Sequence, residues 1–103
     1  MHATIRRYDG VDHNRTAELT GKVKETLVPQ LRKLPGFSGY YLVEAGNGVF
    51  TSLGLFETPE QGAESTKVVS KWIREENLST LMPNEPMITS GKVIAQSNGV
   101  TVA

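Results

Sequence analysis

The residues in this chain best suited to chemistry are two arginines, two tyrosines and one tryptophan. Arg6 and Arg7 are neighbours, as are Tyr40 and Tyr41, and Trp72 is the single tryptophan. A guanidinium or a phenol can stabilise developing negative charge on an oxygen, and an indole can stack on a flat ring. Each also has a structural reading. Trp72 shares an apolar helical stripe with Val69 and Ile73, so it packs in the core or walls a cavity. Tyr40 and Tyr41 are adjacent on a strand and point to opposite faces. One meets the helices and the other a partner subunit, and parity alone does not say which. Arg6 and Arg7 diverge in the same way. The structural expectation is that one reaches solvent at the sheet edge while the other pairs with an acidic side chain, since a lone buried guanidinium is costly.

Other chemistries lack their parts. There is no cysteine, which excludes thiolate ligands, thiol nucleophiles and disulfides. His2 and His13 have no carboxylate at ligand spacing, so no metal is expected. Thr51 and Ser52 have no nearby base. Gly46-Asn47-Gly48 is a turn and not a phosphate cradle, because no helix follows it.

The elements that position these residues are legible in the apolar pattern. His2 to Tyr8 reads as a strand closed by Asp9-Gly10. Asp12 can cap the following helix, whose stripe is Leu19, Val23, Leu27, Leu31 and Leu34. Pro29 falls inside that stripe and predicts a kink or break near Val28. Phe37 to Ala45 and Val49 to Glu57 form a hairpin around Asn47-Gly48. Phe37, Tyr41 and Val43 point one way, and Tyr40 and Leu42 the other. Val49, Leu53 and Leu55 oppose Phe50 and Phe56. Thr58, Pro59 and Gln61 form a capping box that opens the second helix. Its stripe is Val69, Trp72 and Ile73, with Ala63 and Leu78 at its margins. A breaker-rich loop, Met82 to Pro86, precedes a last strand, Met87 to Ala95. The tail from Gln96 to Ala103 frays or pairs with a neighbouring chain.

At 103 residues the chain is read as one domain. Eleven basic and 11 acidic residues balance, so no charge excess calls for nucleic acid or an anionic membrane surface. No apolar run approaches the roughly 20 residues needed to span a bilayer, and the N-terminus lacks the apolar stretch of a signal peptide. A soluble cytoplasmic protein is expected. The fold expectation is α+β: a ferredoxin-like βαββαβ unit with a four-stranded antiparallel sheet and two helices on one face. Both hairpin strands are apolar on both faces, whereas a sheet with one wet face alternates. The second face needs another cover, and a second copy of the chain is the simplest one.

Ile5-Arg6-Arg7-Tyr8, Leu34-Pro35-Gly36-Phe37, Gly39-Tyr40-Tyr41, Phe56-Glu57 and Trp72 resemble the antibiotic biosynthesis monooxygenase-like family of dimeric α+β barrel proteins. The resemblance spans Ala3 to about Ala95. It implies two ferredoxin-like sheets packed face to face and a ligand cavity between sheet and helices. Some members oxidise polycyclic aromatic molecules with oxygen and no metal or flavin; others degrade haem, isomerise or only bind. The haem-degrading pattern fits poorly, because Met82 stands where its histidine belongs and no expected strand carries an asparagine.

The resemblance implies a cofactor-free monooxygenase acting on a small, flat aromatic or phenolic molecule. Arg6, Tyr41 and Trp72 are the catalytic candidates. Arg7, Tyr40, Phe56, Val69 and Ile73 are the ligand-binding candidates. The expected partners are a second copy and a small apolar or aromatic ligand, with no cofactor, metal, nucleic acid or membrane. A non-catalytic binding or stress-related homodimer of the same fold is the alternative, and a purely structural subunit is a third possibility.

Overall fold

The computed structural model describes residues 1–97. Strand β1 (His2–Tyr8) leads through a 3-10 turn (His13–Arg15) into helix α1 (Thr16–Lys22), a π-helical turn (Val23–Leu27) and α2 (Val28–Arg32). Strands β2 (Phe37–Gly46) and β3 (Val49–Phe56), helix α3 (Pro59–Glu75) and β4 (Met87–Lys92) follow. The sheet is antiparallel, in the order β2-β3-β1-β4. This is the expected ferredoxin-like α+β arrangement, with the helices on one face.

The π turn has a reason in the sequence. Leu19, Val23, Leu27 and Leu31 are all buried, yet they recur every four residues. At 3.6 residues per turn, a four-residue step drifts by about 40° around an α-helix. A wider turn takes up that drift and keeps the stripe on the core. Pro29 follows at once, lacking the amide that an α-helical ladder would use. The regular helix is interrupted over Val23–Leu27 and resumes at Val28, so the expected break lies next to that residue.

Helix α3 begins as its capping box requires: Gln61 N–H donates to Thr58 Oγ1 (3.2 Å), and Thr58 N–H donates to Gln61 Oε1 (3.1 Å). Val69 and Trp72 are buried beneath it. Leu78 is fully buried just past the helix, and Ala63 is exposed. Asp12 does cap, accepting from Asn14 N–H (3.0 Å), but it opens the 3-10 turn rather than α1. Leu34 lies in the turn after α2, half-buried.

The hairpin turns at Asn47-Gly48, both with positive φ (55° and 76°). Only glycine suits the second site, because a Cβ on Gly48 would stand 2.8 Å from the Val11 carbonyl. Val11 N–H in turn donates to Gly48 O (2.9 Å), which ties the hairpin tip to the loop after β1.

Two expectations need correction. Phe37 does not share a face with Tyr41 and Val43. A register shift between Phe37 and Gly39 turns it inward, where its ring meets Phe56 edge-on, 5.7 Å between centroids. The last strand stops at Lys92, not Ala95. Val93 N–H still donates to Met1 O (3.0 Å), but the pairing goes no further, and Ile94 is 90% exposed. Most of the tail lies outside the described residues.

Candidate functional site

Strand alternation sorts the candidate residues onto two faces. On β1, Thr4, Arg6 and Tyr8 face the helices and are buried, while Ile5 and Arg7 face away. On β2, Tyr40 and Leu42 turn towards the helices, whereas Tyr41 is 60% exposed on the open face. The register places Leu42, Ser52, Arg6 and Ile88 in one row across all four strands.

Arg6 is the unusual member of that row. It is 1% exposed, yet among the described residues no acidic side chain pairs with it. One terminal nitrogen, Nη2, donates to Ser65 Oγ (3.0 Å) and Thr66 Oγ1 (2.8 Å) on α3. Both hydroxyls are themselves anchored to the Gly62 carbonyl (2.6 and 3.4 Å). Arg6 Nε is buried and has no hydrogen-bond partner among the described residues. Burial pulls the guanidinium below its ordinary pKa, and the neighbouring phenols of Tyr8 and Tyr40 oppose that pull. It remains charged, because arginine does not lose its proton in proteins.

The two phenols are held in their neutral form. Burial pushes Tyr8 up to about 12, although the positive charge of Arg6 pulls the other way. Burial also raises Tyr40, opposed by a hydrogen bond with Ser52 and by the charge of Arg6. Neither supplies the negative charge that Arg6 lacks. The expectation that the buried arginine pairs with an acid is thus overturned. Arg7 takes the other role, reaching solvent and bonding Asp9 (3.2 Å).

Arg6 lines a cavity of about 200 Å³ between α3, the sheet and the segment before β4. Val69 and Ile73 form its α3 wall, with Tyr8, Thr66, Ser70, Glu85, Pro86 and Ile88 around it. A second cavity of about 390 Å³ lies under the π turn, lined by Val23, Lys24, Val28, Tyr40, Leu42 and Phe50 among others. It is larger but has no buried charge.

The structure therefore joins Arg6, Val69 and Ile73 at one cavity and puts Tyr40 at another. Trp72 is 2% exposed and lines neither. Its indole N–H donates to Thr26 Oγ1 (2.6 Å), which in turn donates to Lys22 O (2.7 Å). The tryptophan pins the π turn to α3. Phe56 is core, packed on Phe37. Arg7 and Tyr41 are on the wrong face to reach either cavity. Tyr8, Ser65, Thr66 and Glu85 were not singled out by sequence. Tyr8 alone carried a signal, since it shares parity with Arg6 on β1.

No protein-family model matches this chain, and no curated protein matches it by sequence. Solved structures do match. A Nitrosomonas europaea protein of unknown function superposes with a TM-score of 0.73 at 16% identity, covering 93% of this chain and 91% of its own. An antibiotic biosynthesis monooxygenase gives 0.68 at 13%, over 92% of this chain and all (100%) of its own. The chain has the antibiotic biosynthesis monooxygenase-like fold. Another such structure is the ActVA-Orf6 monooxygenase of Streptomyces coelicolor in complex with nanaomycin D, with a TM-score of 0.66 at 14% identity over 92% of both chains. At these identities the likeness of this chain to its neighbours is one of fold. Among the described residues, no helix is long and apolar enough to cross a membrane.

Proposed function

We propose that the chain is a cofactor-independent monooxygenase-like protein that acts on a small, flat aromatic or phenolic molecule between the sheet and α3. The carrying observation is the buried Arg6 guanidinium, without an acidic partner among the described residues, at the wall of a cavity lined by both polar and apolar side chains. A charged residue in such a place suits a reaction in which negative charge appears on a substrate oxygen. The nanaomycin D complex of the Streptomyces neighbour supports a ligand cavity in this fold.

The chemistry needs no external reductant. A carbon activated by an adjacent phenol or enol loses a proton, and its electron pair forms a C–O bond to molecular oxygen. The resulting hydroperoxide loses water and leaves a carbonyl. Two hydrogens leave the carbon, one oxygen atom stays on it, and the other departs in the water. Arg6 stabilises the enolate oxygen, Tyr8 offers a neutral phenolic O–H, and Val69 and Ile73 exclude water.

The open sheet face supports a homodimer. Ile5, Tyr41, Val43 and Met87 are exposed there at 37%, 60%, 53% and 69%, an apolar surface that a second copy would cover. The burial of Trp72 favours the second reading, a non-catalytic binding homodimer, because it withdraws the indole from stacking on a ligand. Oxygen uptake separates the two. The wild type should consume oxygen with at least one member of a quinol and anthrone panel, and Arg6→Met should not. Retention of an unaltered small ligand, with no uptake across the panel, would favour binding.

A further inference from the structure

We infer that the Arg6 cavity selects a single-ring aromatic oxyanion, its charged oxygen seated on the Arg6 guanidinium. This rests on the site proposed above and adds the charge and size of its ligand.

A guanidinium presents five N–H donors in a fixed planar fork. Ser65 and Thr66 engage one nitrogen, and both are neutral. Nε–H, itself closed off from solvent, has no acceptor among the described residues. The positive charge is thus buried with dipoles and no counter-charge. That is costly in the free protein, and an entering anion relieves the cost. A neutral phenol would offer a hydrogen bond and no charge, so the ionised ligand is preferred.

The charged and titratable groups around Arg6 agree with this. Tyr8 on β1 and Tyr40 on β2 are held neutral by burial. Glu85, on the segment before β4, is exposed at the rim of the cavity and forms no ion pair with Arg6. Its carboxylate disfavours a second negative group, so the ligand is a monoanion. Size sets the ring count. An apolar cavity of about 150 Å³ accommodates benzene, so about 200 Å³ holds one ring with its oxygen. Val69 and Ile73 on one side and Pro86 and Ile88 on the other give that ring apolar walls.

The test uses 4-nitrophenol, whose ionised form is coloured, and 4-nitroanisole, the same ring with its oxygen methylated. Bound nitrophenol should ionise about one pH unit lower than free nitrophenol. Nitroanisole should bind about tenfold or more weakly. Arg6→Met, shown folded by circular dichroism, should abolish both effects, and Arg6→Lys should retain part of each. Benzoate competing with nitrophenol supports recognition of any aromatic oxyanion; failure to compete narrows the class to phenolates. Equal binding of the two nitro compounds, an unshifted or raised ionisation midpoint, or no nitrophenol binding overturns the inference. Anion-selective binding without oxygen uptake from any quinol would remove the oxygenase reading alone. Uptake without anion preference would remove this inference alone.

Discussion

Replacing Arg6 by methionine should leave the protein as stable as before or make it more stable. The substitution removes the two hydrogen bonds to Ser65 and Thr66, each worth about 1.5–3 kcal/mol when the donor is charged. It also removes a charge whose burial costs several kcal/mol. Neither hydroxyl is orphaned, because both still reach the Gly62 carbonyl. The methionine side chain fills much of the same stem volume beside Val69 and Ile73. The balance lies between no change and a gain of about 4 kcal/mol, the range found when buried ion pairs give way to apolar groups. For a domain of this size a 1 kcal/mol gain raises Tm by about 4–8 °C. Urea unfolding followed by the fluorescence of Trp72 measures it, at one fixed protein concentration, since the proposed dimerisation would add to apparent stability. A loss greater than about 1 kcal/mol would refute the reasoning. It would make Arg6 a structural strut rather than a residue kept for function at the expense of stability.

Thr26→Val leaves the buried Trp72 N–H without its acceptor and should destabilise the protein by about 1–3 kcal/mol. Thr26→Ser should stay close to wild type in the same urea titration, and the valine penalty should shrink in a Trp72→Phe background. Tyr8 is protonated more tightly folded, at about 12, than unfolded, near 10.0. Its contribution is therefore complete below pH 10 and fades as pH climbs towards 12, with a loss of roughly 2 kcal/mol. Alkaline unfolding of Tyr8→Phe should lack that decline; identical curves for the two proteins would count against it. Val43→Glu places a charge on the open sheet face and should shift sedimentation from dimer to monomer with the helical circular dichroism intact. An unaltered dimer would move the interface elsewhere.

Strand periodicity was the most readable signal. Alternation along β3 separated Phe50 and Phe56 from Leu53 and Leu55, as the burial pattern bears out. It failed at Phe37, where one irregularity in pairing reverses the side chain and no residue type announces it. The four-residue spacing from Leu19 to Leu31 already contained the π turn, but it reads as an ordinary helical stripe unless the drift is followed over several turns. At the site, parity predicted that Arg6 and Arg7 diverge without saying which goes inward. The sign was set by Thr4 and Tyr8, which share the Arg6 side and bury beneath the helices. Trp72 read either as a core residue or as a cavity wall that stacks on a flat ligand, and in the core its indole N–H needs a partner. Thr26, distant in sequence and unremarkable in type, satisfies it. Ser65 and Thr66 escaped notice because serine and threonine on a helix usually bond only their own backbone.

The sheet order also bears on synthesis. The strand that comes before the other three in the chain, His2–Tyr8, ends at an interior position, paired on one side with β3 and on the other with β4. Until Met87–Lys92 has emerged from the ribosome, the nascent chain carries an open row of amides and carbonyls along β1, beside Ile5. Such a row is a template for mispairing. Slow decoding or truncation before Met87–Lys92 should therefore yield aggregates rather than a trimmed but folded product.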